Sequence, residues 1–167
     1  MTRWTVSLAT LIVMFFLARS AAAQRLVADG GIGIGTGLQR SDLIQDGLFQ
    51  PARTRIVAPV YFRNDEDISQ GIGIVGIFEI APKVGFGLEG RYVRWFGKAF
   101  SGFVGIPVII APKSLVGADV GATFNLPLGN LGLFVEPSLA AMPLGTDLPG
   151  DNVLIWGLLS VGIHAQF

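Results

Sequence analysis

The chain has 167 residues, with 12 basic and 12 acidic side chains, one histidine and no cysteine. That length fits one domain, the balanced charge offers no basic stripe for nucleic acid, and the lack of cysteine excludes disulfides, thiolate metal ligands and a thiol nucleophile. Only 14% of residues are charged and 51% are hydrophobic, against about 25% charged in an ordinary water-soluble domain.

The N-terminus reads differently from the rest. Arg3 gives a basic start, Leu8 to Ala18 is an apolar run, and Ala21-Ala22-Ala23 follows with small residues. This is the order of a secretory signal peptide, and the run is shorter than the roughly 20 residues of a spanning helix. Cleavage is expected after Ala23, which divides the chain into a signal peptide, 1–23, and a mature domain, 24–167. Beyond Ala23, charged residues, prolines or asparagines interrupt every apolar stretch before about 18 residues accumulate, so no membrane helix is predicted. A very apolar chain without such a helix has a second route into a bilayer, a closed β-barrel whose strands satisfy one another's backbone groups.

The mature sequence is rich in glycine and β-branched residues, which disfavour helix, and it alternates with a period of two. Eight strands are predicted, over 26–39, 54–63, 69–80, 83–96, 102–111, 115–126, 131–142 and 153–167. Each is long enough for a tilted barrel strand, whose membrane part needs about 9–11 residues. Between them, Asn64-Asp65-Glu66-Asp67 and Pro127-Leu128-Gly129-Asn130 are turn-like, and the tripeptide Ala-Pro-Lys occurs at both 81–83 and 111–113; proline suits the second position of a tight turn. Two connections, 40–53 and 143–152, are longer and suit exposed loops. Pro59, Pro107 and Pro137 fall inside predicted strands, where a closed barrel has no free edge for a missing N–H, so bulges or shortened strands are expected there.

Alternation gives every strand two faces, and charge decides which meets lipid, because a basic side chain aimed at mid-bilayer costs roughly 2–4 kcal/mol. In the sixth segment Val116, Ala118, Val120, Ala122 and Phe124 form an apolar set opposite Asp119, Thr123 and Asn125. In the eighth, Ile155, Leu159, Val161 and Ile163 oppose Ser160, His164 and Gln166. The same rule places Asp29, Arg55, Glu79, Glu89, Arg91, Asp119, Glu136 and His164 in a polar, ion-paired interior. Glycines such as Gly31, Gly33, Gly71 and Gly87 would sit beside them and make room. Outward aromatics fall at the ends of the even-numbered segments (Phe62, Tyr92, Phe96, Phe124 and Phe167), as a membrane-interface girdle requires, and Phe78 and Phe86 flank the turn at Pro82.

The chain ends in Phe167, with apolar residues at alternate positions before it (Leu159, Val161, Ile163, Ala165). This resembles the terminal strand of bacterial outer-membrane proteins. With the export signal and eight strands, the mature chain is similar to the small barrels of the outer membrane protein A and X type. The resemblance implies an eight-stranded up-and-down antiparallel barrel in the outer membrane of a Gram-negative envelope, with outer-membrane lipid and the barrel assembly machinery as partners and Phe167 as the assembly signal. It implies no cofactor. The outer connections after the third and fifth segments are short, unlike adhesins built on long loops.

Other chemistry finds little support. Some outer-membrane barrels are lipid hydrolases, but here the C-terminal residues are His164-Ala165-Gln166, which lack the His-x-Ser pair of the deacylases, and Ser160 lies four strand residues from His164, about 13 Å. One histidine and no cysteine cannot build a usual zinc site. The acidic turn 65–67 lacks the spacing of a calcium loop, and Gly31-Ile32-Gly33-Ile34-Gly35 runs on as strand instead of opening a nucleotide-binding helix. The expectation is a non-enzymatic structural or surface-interaction protein, with a narrow solute channel as the alternative and a lipid-modifying enzyme as a lesser one.

Overall fold

The structure, a computed structural model, describes residues 26–41, 50–51, 53–64, 69–81, 83–129, 131–146, 148 and 153–166. The expected signal peptide and Phe167 lie outside the described residues. The elements are β1 (Leu26–Ser41), β2 (Gln50–Pro51), β3 (Thr54–Asn64), β4 (Gln70–Ala81), β5 (Gly85–Trp95), β6 (Phe100–Ala111), β7 (Leu115–Leu128), β8 (Leu131–Gly145) and β9 (Leu154–Gln166). Each long strand pairs antiparallel with its chain neighbour, and β1 pairs β9 along 13 residues, from Asp29 opposite Gln166 to Ser41 opposite Leu154. That last ladder closes an eight-stranded up-and-down barrel, with β2 a short strip paired to the end of β1. Among the described residues no helix is long and apolar enough to cross a membrane.

Closure defines two ends. Three connections, after β3, β5 and β7, lie at the end that also holds Leu26 and Gln166; we call it the terminal rim. The opposite, loop rim holds the tight connections after β4 and β6 and the two long ones, which leave β1 and β8 and re-enter at β3 and β9. Because β1 lies between β3 and β9, the anchoring ends of both long connections are neighbours.

Two strands run well beyond the predicted ends, while β5 is shorter than its predicted segment. β7 continues through Pro127 to Leu128, and β8 through Pro143 to Gly145, so those residues are strand ends and not turn or loop. The three internal prolines correct the expectation of bulges or shortened strands. Each leaves one ladder whole: Pro59 opposes Val75, Pro107 opposes Glu89, and Pro137 opposes Leu159. On its other side the ladder skips two residue pairs and resumes in the same register. The skips fall between Gly30–Val60 and Gly33–Val57, between Gly105–Asp119 and Val108–Val116, and between Gly121–Ser138 and Phe124–Val135. A missing N–H is thus absorbed locally, without moving any downstream side chain to the other face. Two register shifts lie elsewhere, at Thr54/Arg55 and Phe86/Gly87, and the third, at Val116/Ala118 on β7, faces Pro107 from the neighbouring strand.

The outer surface is apolar from strand to strand. Ile34, Ile74, Leu88, Val104, Val120, Leu139 and Val161 all project outward, each 45–56% exposed. So large a continuous apolar surface exceeds the few hundred Å² that a soluble monomer tolerates. At the terminal rim Phe62, Tyr92, Phe96, Phe100 and Phe124 face outward, with Phe100 packed 5.5 Å from Phe96 and 5.2 Å from Phe124. Phe78 and Phe86 are cross-strand partners near the loop rim. Outward charge within the strands is confined to the ends, at Arg40 and Arg94, and Arg94 lies over the Phe96 ring.

Candidate functional site

The interior is the part of the molecule where ionisable chemistry collects, and it is built by strand parity. Inward positions are odd-numbered on β1 and β3 to β7 and even-numbered on β8 and β9. Asp29, Arg55, Glu79, Glu89, Arg91, Asp119, Glu136 and His164 all lie on the inner wall, but not in one cluster.

The centre of the barrel is organised by Arg91. Its Nε and one terminal nitrogen donate to both oxygens of Glu89, at 2.7 and 3.1 Å, and its other nitrogen donates to Glu136 at 2.9 Å and to the Tyr61 hydroxyl at 3.0 Å. The guanidinium also lies 3.8 Å from the Phe103 ring centroid. Thr123 donates to the second oxygen of Glu136, at 3.1 Å. Two-point pairing of a planar cation with a carboxylate is the strongest ordinary ionic contact a protein makes, and side-chain exposure here is 1% for Arg91, 0% for Glu89 and 4% for Glu136. The close approach needs Gly105, where an added Cβ would meet Glu89 Cδ at 3.1 Å and Arg91 Cγ at 3.2 Å. Asp119 accepts from Ser138 at 3.3 Å. Arg55 enters from β3 into the field of Glu89, Asp119 and Glu136, and Arg55 Nε and Asp119 Oδ1 are buried without a hydrogen-bond partner among the described residues.

The two rims hold separate pairs. Near the loop rim Arg53 donates to Glu79 at 2.5 Å and lies 5.7 Å from the Trp156 ring. Near the terminal rim Arg63 pairs with Asp29 and lies 4.7 Å from the Trp95 ring, which meets Tyr61 edge-on at 6.0 Å. His164 lines the same end. Its ring takes the space a side chain at Gly132 would need, since a Cβ there would come within 2.6 Å of Nε2. Arg53, Tyr61 and Arg63 were absent from the sequence expectation, yet parity identifies them: they share phase with Arg55.

One expectation needs correction. The interior is not polar throughout. Between the loop rim and the central ion pairs, Val57, Val75, Ile77, Ile109, Leu115, Met142, Leu154, Trp156 and Leu158 fill the lumen with Ala140. Ile109, Leu115 and Met142 have no exposed surface at all. Alternation misled here because apolar residues occur on both faces of these half-strands, and only the charged positions reveal which face is inner.

At the terminal rim the lumen opens instead, into a cavity of about 480 Å³ walled by Tyr61, Trp95, Ser101, Asn125, Phe134 and His164 among others. Ser160 and His164 do not form a nucleophile–base pair: Ser160 lies beside Glu136 in the register and His164 beside Gly132, about 13 Å apart along β9. No group of three potential metal-binding side chains forms among the described residues.

No protein-family model and no curated protein matches the chain. Solved structures do. The crystal structure of Neisserial surface protein A superposes with a TM-score of 0.53 at 10% identity, covering 85% of this chain and 97% of that one. Ail, the attachment invasion locus protein of Yersinia pestis, solved in complex with the heparin analogue sucrose octasulfate, gives a TM-score of 0.50 at 14% identity, covering 86% and 99%. The fold is that of a small eight-stranded outer-membrane β-barrel. At these identities the likeness reaches the barrel itself and no individual side chain.

Proposed function

We propose that this chain is an integral outer-membrane β-barrel protein of a bacterial envelope, with a structural or surface-interaction role and no enzymatic activity. The observation that carries this reading is sidedness: a closed barrel with a continuous apolar exterior, aromatics at both ends of the belt and every mid-strand charge turned inward. Export through 1–23 and assembly signalled by Phe167 belong to the same reading. The interacting surface would come from the two long connections, whose anchoring ends adjoin on β1, β3, β8 and β9. Neisserial surface protein A and Ail share the barrel, which supports the location, but their named roles are their own.

A narrow channel is the second reading, and the apolar fill of the loop-side lumen argues against it. A path for ions would have to cross Ile109, Leu115, Met142 and Trp156, where no polar group replaces hydration.

Refolded into lipid vesicles, the protein is expected to run at a different gel mobility before and after boiling, and to give no discrete conductance steps in planar bilayers. A protein that stays in solution without detergent or lipid would overturn the membrane reading. Stepwise conductance would replace the structural role with the channel.

A further inference from the structure

The open terminal end of the lumen has no part in the role proposed above, and its shape needs a reason. An eight-stranded barrel has room for little beyond its own side chains. The loop-side half obeys that rule. The terminal half does not: short side chains (Gly31, Ser101, Thr123 and Asn125) stand between Tyr61, Trp95, Phe134 and His164 on its inner wall, leaving about 480 Å³ open at the rim. That volume is in the range of small-ligand sites, roughly 300–1,000 Å³.

We propose that this vestibule binds a neutral sugar of mono- or disaccharide size. Three features of its wall select that chemistry. First, the charges are already spent in pairs: Asp29 is held by Arg63, and Glu136 by Arg91 and Thr123. An ionic ligand inside would lose its hydration without gaining an uncommitted counter-charge. Lys98 lines only the exposed mouth. Second, Ser101, Asn125 and His164 line the cavity with donors and acceptors, and Thr123, whose proton goes to Glu136, adds an acceptor, which suits hydroxyl groups that do both. Third, Trp95 and Tyr61 form an aromatic corner against which the C–H face of a sugar ring can pack, as the negative face of an aromatic ring favours.

The test uses the mature protein in phosphatidylcholine nanodiscs, prepared with a detergent that has no sugar headgroup. The chain has three tryptophans and one histidine; Trp4 lies in the expected signal peptide, so the indole signals come from Trp95 and Trp156. Titration with glucose or maltose is expected to give a saturable shift of the Trp95 indole N–H and of the His164 ring, while Trp156, buried in the apolar fill, stays still. Trp95→Ala should weaken binding by roughly tenfold, read at His164, the upper range for loss of one aromatic contact. Asn125→Trp, which blocks the mouth, should abolish it. The proposal is overturned if neither sugar gives a saturable shift, if Trp156 moves with Trp95, or if binding survives Asn125→Trp. It is equally overturned if benzoate or benzylamine, charged probes of similar size, bind the unaltered protein more tightly than the sugars. That last comparison stands even where a variant fails to fold.

Discussion

The loop-side and terminal halves of the lumen are made by the same eight strands, with the same parity and the same hydrogen-bonded wall, yet one is solid and the other hollow. Toward the loop rim, inward positions carry Trp156, Met142, Ile109, Leu115 and Leu154, and the space closes. Toward the terminal rim Gly31, Ser101, Thr123 and Asn125 stand among Tyr61, Trp95, Phe134 and His164, and the space stays open. The ion pairs of Arg91 separate the two. A barrel wall sets only the diameter; side-chain volume at inward positions decides whether the inside is a core or a site.

The division makes graded expectations. Arg91→Met should have the largest effect, because it leaves Glu89 and Glu136 buried without their shared cation. A loss of about 3–5 kcal/mol is expected, read as a lower urea midpoint for unfolding from vesicles. Adding Glu89→Gln and Glu136→Gln to it should recover much of that loss, and failure to recover would mean that packing and not charge is what Arg91 supplies. Next, Met142→Ala in the solid half should cost about 2–5 kcal/mol, the usual range for emptying a fully buried site. It should leave the gel shift intact. Smallest, Asp29→Asn at the terminal rim should cost about 1–2 kcal/mol, because its side chain and that of Arg63 keep 13% exposure where those of Arg91 and Glu89 keep almost none. A loss there as large as at Arg91 would erase the distinction between the two halves.

Much of this was legible in the sequence, and the reasons are specific. Strand number and sidedness followed from the two-residue alternation, because Asp119, Glu89 and Arg91 admit only one orientation in a membrane. The partition of the lumen was not legible. In stretches such as 106–110 (Ile-Pro-Val-Ile-Ile) both faces are apolar, so alternation is silent about which residues fill the inside. The pairing was hidden too: Arg91 meets Glu136 only because β5 and β8 face each other across the barrel, 45 residues apart in the chain. The prolines misled for a different reason. A missing donor weakens one ladder, and a strand with neighbours on both sides keeps its register through the other.

Sidedness can be measured directly, since the chain has no native cysteine. Single cysteines at consecutive positions 118 to 124 along β7, spin-labelled in lipid vesicles, report access to oxygen from the bilayer and to a water-soluble nickel chelate. Oxygen access is expected at 118, 120, 122 and 124 and to fall at 119, 121 and 123, with the chelate excluded from the outward set. Chelate access at 120 and 122, or no two-residue alternation, would contradict a barrel whose apolar face meets lipid.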